Sequence, residues 1–156
     1  MMYKERPEDF HPKFEVACCH VDCGGKFLML HRADHKSAGD TWGVPAGKVE
    51  PGESILETAQ RETKEETGID IPIEDIHFCH TVFIRYPDYD FVYHIFQAEI
   101  KNESEVVINE SEHKDFRWVA PEEALKRHLV PDEDACIKLV YGESEKQEVA
   151  KGFRLS

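Results

Sequence analysis

The feature that most constrains the fold is a helix with capping signals at both ends. Ser54 and Glu57 form a capping box, in which each side chain accepts a hydrogen bond from the other residue's backbone N–H. Gly68 supplies the left-handed conformation that commonly ends a helix. The sequence therefore predicts a helix over Ile55–Thr67, preceded by a loop rich in glycine and proline.

Three glutamates of this helix, Glu62, Glu65 and Glu66, are predicted to share one face. With a helical rotation of about 100° per residue, the three side chains fall within an arc of about 100° around the helix axis. The neighbouring stripe, expected to pack on the core, consists of Leu56, Ala59 and Thr63. The opposite side, expected to face solvent, carries Glu57, Gln60, Lys64 and Thr67.

Crowded acids on a helix need a physical explanation. Like charges at this spacing repel one another by about 0.2–0.5 kcal/mol per pair. Carboxylates at the edge of a core should also have raised pKa values, unless a cation neutralises them. Oxygen ligands of this kind suit a hard divalent ion such as Mg²⁺ or Mn²⁺. Helix geometry alone leaves two interpretations open, a metal site and a solvated acidic face.

The loop before the helix favours the metal site. Between Trp42 and Gly47 the residues are small and apolar, so the backbone there can approach a ligand closely. From residue 47 to residue 69 the sequence resembles the Nudix box, GX5EX7REUXEEXGU, in which U is a bulky aliphatic residue. The matching positions are Gly47, Glu53, Arg61, Glu62, Glu65, Glu66, Gly68 and Ile69. The single departure is Thr63, which bears on packing because it lies on the core-facing stripe.

This resemblance implies both a fold and a reaction. The fold would be α/β, a Nudix-type α/β/α sandwich with a mixed β-sheet. The reaction would be divalent-metal-dependent hydrolysis of a diphosphate linkage in a nucleoside diphosphate joined to another group, a class that includes nucleoside triphosphates. Mg²⁺ or Mn²⁺ is the expected cofactor.

The resemblance also implies roles for individual residues. The metal ligands would be Glu62, Glu65 and Glu66, with a backbone carbonyl at Ala46 or Gly47 as a further ligand. Glu53 and Arg61 would pair and brace the loop against the helix, since arginine suits bidentate pairing with a carboxylate. The base that takes a proton from the attacking water would be either Glu62 or a late loop glutamate, Glu110 or Glu112.

Three further residues are candidates for substrate contact, alongside Gly47. Arg32 ends the second predicted strand, where similar proteins often place an arginine near substrate phosphates. Lys48 follows Gly47 and could meet a phosphate, and Trp42 could line the site or pack beneath it. For the aromatic residues of the second predicted hairpin, packing is favoured over stacking on a nucleobase; these residues are Phe83, Tyr86, Tyr89 and Tyr93.

The rest of the chain predicts strands and helices around this segment. Two hairpins are expected, with strands over residues 14–21 and 26–32 and over residues 76–86 and 91–100. A short strand over residues 115–119 precedes helices over residues 121–127 and 132–141. Strands mixed with helices in this way indicate a sheet covered by helices.

Length and charge limit the domain count and the partners. The 156 residues suffice for one domain over residues 1–156, with loosely held ends at about 1–10 and 143–156. A net charge of −13 argues against binding nucleic-acid polymers or acidic membranes. Five irregularly spaced cysteines fit reduced thiols and a cytoplasmic location, and buried thiols are favoured over a zinc site at Cys19 and Cys23. The expected partner is a small phosphoanhydride substrate, bound by a monomer or a homodimer.

Two other functions are possible on the same fold. A catalytically silent Nudix-fold module would bind a nucleotide or a protein, but it would not need to keep three metal-loading carboxylates on one helix. Isomerisation of an isoprenoid diphosphate would need further metal ligands and a catalytic cysteine, and no such constellation stands in the sequence. The hydrolase is therefore the favoured hypothesis, with the binding module as its alternative.

Overall fold

The computed structural model describes residues 1–142, whose strands form one mixed sheet flanked by helices. The strands are β1 (Met2–Tyr3), β2 (Pro12–Cys23), β3 (Lys26–Arg32), β4 (Trp42–Gly43), β5 (Ala46–Lys48), β6 (His77–Arg85), β7 (Asp90–Glu99) and β8 (His113–Val119). The helices are α1 (Ile55–Thr67), α2 (Pro121–Ala124) and α3 (Glu133–Val140), with a 3₁₀ turn at Ile73–Asp75. The α/β fold with a mixed sheet is confirmed.

The strand order places β2 at the centre of the sheet. The order is β1-β6-β7-β2-β3-β4, with β5 paired to β2 and β8 paired to β3. β2 runs parallel to β7, whereas the other pairings between these strands are antiparallel. This one parallel pairing makes the sheet mixed, and it joins the two hairpins into a single sheet.

Both predicted hairpins are present. β2 and β3 are joined at Gly24 and Gly25, whose φ angles are 56° and 81°. Two consecutive left-handed residues are typical of the type I′ turn, whose twist matches that of the flanking strands. β6 and β7 pair up to Arg85 and Asp90, where the arginine Nε donates to the aspartate at 2.9 Å.

Alternate residues of β2 enter two separate hydrophobic clusters. Ala17, Cys19 and Val21 pack in a cluster with Ala59 of α1, whereas Cys18 packs in a cluster with Ile137 of α3. Because successive side chains of a strand point to opposite faces, α1 and α3 cover opposite faces of the sheet. This layering explains the continuous apolar run of β2. All five cysteines are free thiols, and all but Cys79 are buried.

Helix α1 begins and ends where the sequence predicts. Ser54 Oγ accepts from Glu57 N at 3.0 Å, and Glu57 Oε1 accepts from Ser54 N at 2.8 Å. Gly68 adopts a φ of 78°, and its N–H donates to the Lys64 carbonyl at 2.8 Å. The capping signals therefore predicted both boundaries correctly.

The buried face of α1 is more polar than expected. Thr67, predicted to face solvent, is fully buried together with Thr58 and Thr63, so that prediction is wrong. The Thr63 and Thr67 hydroxyls each donate to the carbonyl four residues earlier, at 2.7 and 2.6 Å, and the Thr58 hydroxyl donates to Glu53 Oε1 at 2.6 Å. A hydroxyl satisfied within its own helix costs little to bury. This bond explains how Thr63 occupies a position where an aliphatic residue is usual.

The chain ends differ from expectation in one respect. The N-terminal residues are not loosely held, because β1 pairs with Phe83 and Ile84 of β6, and Phe10 is buried edge-to-face against Phe83 at 5.3 Å. The loosely held end predicted at 143–156 lies outside the described residues, so the single domain over residues 1–156 stays a prediction.

Helix α2 is shorter than predicted and ends at Ala124. Within residues 1–142, no helix is long and apolar enough to cross a membrane.

Candidate active site

Helix α1 and strand β5 meet at two glutamates. Gly47 lies directly beneath the Glu62 side chain, and a Cβ at Gly47 would overlap the Glu62 carboxyl group. One turn further along, Glu66 Oε1 accepts a hydrogen bond from the backbone N–H of Ala46 at 3.2 Å. The absence of a side chain at Gly47 therefore allows the Glu62 carboxyl group to lie against the β5 backbone, where Glu66 bonds to Ala46.

Burial and neighbouring carboxylates raise the pKa of both carboxyl groups. Glu66 is only 5% exposed, and burial raises its pKa well above the usual range, with the neighbouring Glu62 charge adding to the effect. Burial also raises the pKa of Glu62 to about 7, although the Arg61 charge partly opposes this shift. Two carboxyl groups in this state form a site that a cation would stabilise.

A third carboxylate comes from the loop before β8. Glu112 is half-buried, and its charge raises the pKa of both Glu62 and Glu66. Its backbone carbonyl accepts from Ala33 N at 2.9 Å, which ties the loop to the end of β3. Glu110, two residues earlier, is exposed. Of the two loop glutamates named in the sequence, the fold therefore brings Glu112 to the site.

The predicted trio of Glu62, Glu65 and Glu66 is only partly assembled. The Glu65 side chain is 57% exposed, and its carboxylate accepts from Arg61 Nη1 at 3.2 Å. Among residues 1–142, no three acidic, histidine or cysteine side chains are already arranged around a common point as a metal site. Glu65 still raises the pKa of Glu62. Glu62 and Glu66 lie against the β5 backbone, with Glu65 on the solvent side of α1 and Glu112 on the loop before β8.

The brace expected from Glu53 and Arg61 is present. Arg61 donates from Nε and Nη2 to the two carboxylate oxygens of Glu53, at 2.6 and 3.0 Å. Its Nη2 also donates to the Lys48 carbonyl at 3.1 Å, and Thr58 Oγ1 donates to Glu53 at 2.6 Å. The hydrogen bonds from Arg61 lower the pKa of Glu53 to about 2. This network joins α1 to strand β5, which contains Gly47.

The donor set fits a hard divalent cation. Glu62 and Glu66 offer carboxylate oxygens, and Glu66 receives one backbone N–H but no direct salt bridge within the described chain. Oxygen-only sites of few protein ligands are typical of Mg²⁺ and Mn²⁺. The raised pKa values are what such a site shows before a cation neutralises it. Glu62 and Glu66 could hold the ion, with Glu112 beside them.

A cleft of about 270 Å³ opens beside the pair. Glu66 lines it together with Gly47, Arg32 and Lys48, three of the residues predicted to contact substrate, and that contact stays a prediction. Arg32 donates from Nε to the Ser37 carbonyl at 2.9 Å. Its positive charge partly opposes the rise in the pKa of Glu66. The Lys48 ammonium lies 4.3 Å from the centre of the Phe14 ring. Two cationic side chains therefore lie along the cleft next to the acidic pair.

Aromatic side chains line the same cleft. They are Phe14, Tyr86, Tyr89, Phe91 and Tyr93. Tyr86 and Phe91 pack edge-to-face at 5.1 Å, and Phe14 stacks on Phe91 at 5.5 Å. Three of the four hairpin aromatics, Tyr86, Tyr89 and Tyr93, therefore pack within the fold and also line the cleft. Phe83 does not line it and packs against Phe10 instead.

Trp42 does not line the cleft in the described part of the chain. Its ring stacks on His31 at 4.2 Å, and the Arg127 guanidinium lies 4.6 Å from its centre. The residue is buried because β4 pairs with β3 and its other edge is covered by residues near position 128. Of the two positions considered, Trp42 therefore packs behind the site rather than against a substrate.

Two polar cleft residues were not identified from the sequence. Glu133 lies in the first turn of α3, and burial raises its pKa to about 8. His113 begins β8, and burial lowers its pKa to about 4, with the Arg32 charge acting in the same direction. The spacing of Glu133 to Cys136 and Ile137, three and four positions on, was a usable signal, because it places the glutamate on the apolar face of the helix.

Comparison with known proteins agrees with this geometry. The family model described as NUDIX domain matches residues 11–140. The bis(5'-nucleosyl)-tetraphosphatase (asymmetrical) of Mus musculus is 36% identical over 105 residues, which cover 65% of this chain and 68% of that protein. Phosphatase NudJ of Shigella boydii is 35% identical over 118 residues, covering 75% of this chain and 74% of that protein.

Solved structures share the fold. A C. elegans Ap4A hydrolase binary complex superposes with a TM-score of 0.67 at 25% identity, covering 81% of this chain and 94% of that chain. A MutT protein from Methanosarcina mazei Go1 superposes with a TM-score of 0.72 at 23% identity, covering 90% and 99%, and supports the fold alone. The chain belongs to the NUDIX domain family.

Proposed function

We propose that this Nudix hydrolase cleaves a phosphoanhydride linkage in a small nucleotide, with a divalent ion held by Glu62 and Glu66. The observation that carries the proposal is the buried carboxyl pair at the edge of a cleft that also contains Arg32 and Lys48. Carboxylates suit the metal, and the two cationic side chains suit the phosphate oxygens of the substrate. Mg²⁺ is the first candidate and Mn²⁺ the second.

The proposed mechanism divides the work among these residues. When bound, a divalent ion neutralises charge on the diphosphate and lowers the pKa of an attacking water. Arg32 and Lys48 hold the phosphoryl oxygens and orient the linkage. Arg61 and Glu53 act as positioning residues, because their pairing and the bond from Arg61 to the Lys48 carbonyl hold strand β5, which contains Gly47 and Lys48.

We assign the proton acceptor to Glu112. Glu62 lies against the β5 backbone and would serve as a ligand of the metal ion. Glu112 is partly exposed near Glu62 and Glu66 and can be reached by water. Lys36 Nζ lies 3.5 Å from the Glu112 carboxylate. An ionised carboxylate within reach of the attacking water is the requirement for a general base.

The substrate class follows from the cleft and the relatives together. One relative is named as a bis(5'-nucleosyl)-tetraphosphatase, and the aromatic lining offers a surface for a nucleoside. Dinucleoside polyphosphates and nucleoside triphosphates are therefore the substrates to test first. A cytoplasmic location and a monomer or homodimer remain predictions.

The first test replaces each carboxyl group of the pair, in separate variants, with an uncharged amide. Glu62→Gln and Glu66→Gln should each lower turnover at least about 10²-fold with Mg²⁺, because the amide binds a divalent ion poorly. Phosphate release would be measured over a panel of nucleoside triphosphates, dinucleoside polyphosphates and nucleotide sugars. Glu74→Gln, an exposed glutamate outside the cleft, is the matched control and should keep full activity. Chelation should abolish turnover and added Mg²⁺ should restore it.

Two results would contradict this proposal. Near-normal activity in both variants would remove the metal assignment. No turnover by the wild type on any member of the panel would favour the nucleotide- or protein-binding module instead.

The second test separates the two loop glutamates. Glu112→Gln should lower kcat about 10²-fold or more while leaving KM within a few-fold, because the base acts on the water and not on substrate binding. Glu110→Gln is the matched control, since the same change is made two residues away at an exposed position. Equal activities of the two variants would exclude Glu112 as the base.

A further inference from the structure

His113 is a cleft residue to which the proposed mechanism gives no role. It begins β8 and pairs across the sheet with Arg32 at the end of β3. Side chains of directly opposed residues lie close together on the same face of a sheet. Both residues line the cleft, together with Glu66. His113 therefore lies beside the arginine that is proposed to hold the substrate phosphate.

The imidazole ring of His113 has no partner that accounts for its burial. The residue is only 5% exposed, and its Nδ1 atom is sealed from solvent without a hydrogen-bond partner among residues 1–142. The other ring nitrogen, Nε2, is not sealed, and no hydrogen bond joins it to another residue of the described chain. Buried polar groups are nearly always hydrogen-bonded, so an unpaired ring beside a cleft indicates a partner that arrives with the ligand.

The charges around the ring determine the chemistry of that partner. Burial lowers the pKa of His113 to about 4, and the Arg32 charge acts in the same direction. The Lys36 charge also lowers this pKa, whereas the Glu112 charge opposes the shift. The ring is therefore neutral near pH 7, with one N–H donor and one acceptor nitrogen. Because an N–H sealed without an acceptor is costly, the proton is best placed on Nε2. The complementary ligand atom is then an acceptor, and the two neighbouring positive charges favour an anionic one.

We propose that His113 donates a hydrogen bond from Nε2 to an oxygen of the phosphoryl group that Arg32 contacts. This inference rests on the proposed function in taking the ligand to be a phosphoanhydride. Arg32 already donates from Nε to the Ser37 carbonyl at 2.9 Å, so only part of its guanidinium group remains for a ligand. A neutral donor on the adjacent strand adds a direction to the charge that Arg32 supplies. The two side chains thereby hold the phosphoryl group from two neighbouring strands.

A diphosphate analogue tests this contact without hydrolysis. Methylenediphosphonate has a carbon bridge in place of the bridging oxygen, so it can be bound but not cleaved at the bridge. It also contains no nucleoside, so its affinity reports on the phosphate contacts alone. Its dissociation constant would be measured by titration calorimetry near neutral pH in the presence of Mg²⁺.

Three substitutions at His113 separate a hydrogen-bond donor from a packing residue. His113→Leu fills similar space without a donor, so affinity for the analogue should fall at least about tenfold, as expected for a lost hydrogen bond to a charged group. The amide nitrogen of glutamine reaches about as far as Nε2, so His113→Gln should stay within about threefold of wild type. Asparagine reaches only as far as Nδ1, so His113→Asn should lose as much affinity as His113→Leu. His77→Leu, the same change at an exposed strand position, is the matched control and should bind as wild type.

The outcomes separate this inference from the hydrolase proposal. Unchanged affinity in His113→Leu, or no binding of the analogue by the wild type, would overturn the contact even if nucleotides are hydrolysed. A loss in His113→Gln as large as in His113→Leu would also overturn it, because the shape of the ring and not its donor would then matter. Retention in His113→Gln with loss in His113→Leu, in a protein that cleaves no phosphoanhydride, would uphold the contact and reject the hydrolase. If thermal melting shows that His113→Leu does not fold, the comparison of His113→Gln with His113→Asn decides in the same way.

Discussion

Removal of the Arg61 side chain should destabilise the protein by about 3 kcal/mol. Arg61 makes two hydrogen bonds to Glu53 and one to the Lys48 carbonyl, at 2.6, 3.0 and 3.1 Å. Hydrogen bonds to charged groups are worth about 1.5–3 kcal/mol each when water cannot replace them. The side chains are 25% and 14% exposed for Arg61 and Glu53, so water recovers part of this sum after Arg61→Ala. The remainder lies near the lower end of the cost of breaking a buried ion pair, about 3–5 kcal/mol.

The pH dependence of this loss tests its cause. Because Arg61 lowers the pKa of Glu53 to about 2, against an ordinary value of 4.5, the folded state binds this proton more weakly than the unfolded state. The stabilisation is therefore fully present above about pH 4.5 and disappears as the pH falls towards 2. The gap in unfolding free energy between wild type and Arg61→Ala should narrow over that window.

The assay is urea unfolding of both proteins between pH 3 and pH 7, followed by circular dichroism. In a thermal melt at pH 7, the melting temperature of the variant should be about 6–12 °C lower than that of wild type, given about 2–4 °C per kcal/mol for a domain of this size. Arg61→Lys is the matched control, since it keeps the charge but cannot reach Glu53 and Lys48 together, and its loss should be intermediate. A loss below about 1 kcal/mol at pH 7, or a gap that does not narrow in acid, would refute the brace.

Two further predictions concern Gly47 and His20. Gly47→Ala should lower turnover about 10²-fold or more, measured by phosphate release, because its Cβ would displace the Glu62 carboxyl group; full activity would contradict the close approach. His20 is fully buried and its pKa is lowered to about 3 by burial, so the folded protein should lose stability as the pH falls from about 6.5 towards 3. His20→Leu should flatten this dependence by up to about 1.4 kcal/mol per pH unit, measured by urea unfolding, and an unchanged slope would refute a neutral buried His20.

Local signals predicted the boundaries of α1 and the turns. The capping box and the left-handed glycine act between residues at most a few positions apart, so Ser54, Glu57 and Gly68 fix the helix ends whatever packs on it. The β2–β3 turn is equally local, because two adjacent glycines can both take positive φ angles. The Glu53–Arg61 pair was expected from the resemblance to the Nudix box, and arginine suits the bidentate pairing that the structure contains.

The burial of individual side chains was not predictable in this way. Thr67 is buried and Trp42 packs away from the cleft because of what lies against them, namely the sheet beneath α1 and the stack of His31 and Arg127. A helical projection gives the relative angle of side chains on one helix, but the width of the buried face depends on the partner surface. The helix alone therefore does not determine which of its polar residues enter the core.

By itself, the sequence determined that one helix would carry a cluster of carboxyl groups next to a glycine-containing loop, because that arrangement depends on spacing within residues 47–69. Only the tertiary structure decided which acids meet. Glu65 is largely exposed and pairs with Arg61, whereas pairing of β8 with β3 brings Glu112 to Glu62 and Glu66 from a loop that is distant in the sequence. The same is true of Glu133, whose burial depends on α3 packing over the sheet. Contacts between distant segments follow the path of the whole chain, and no local pattern records that path.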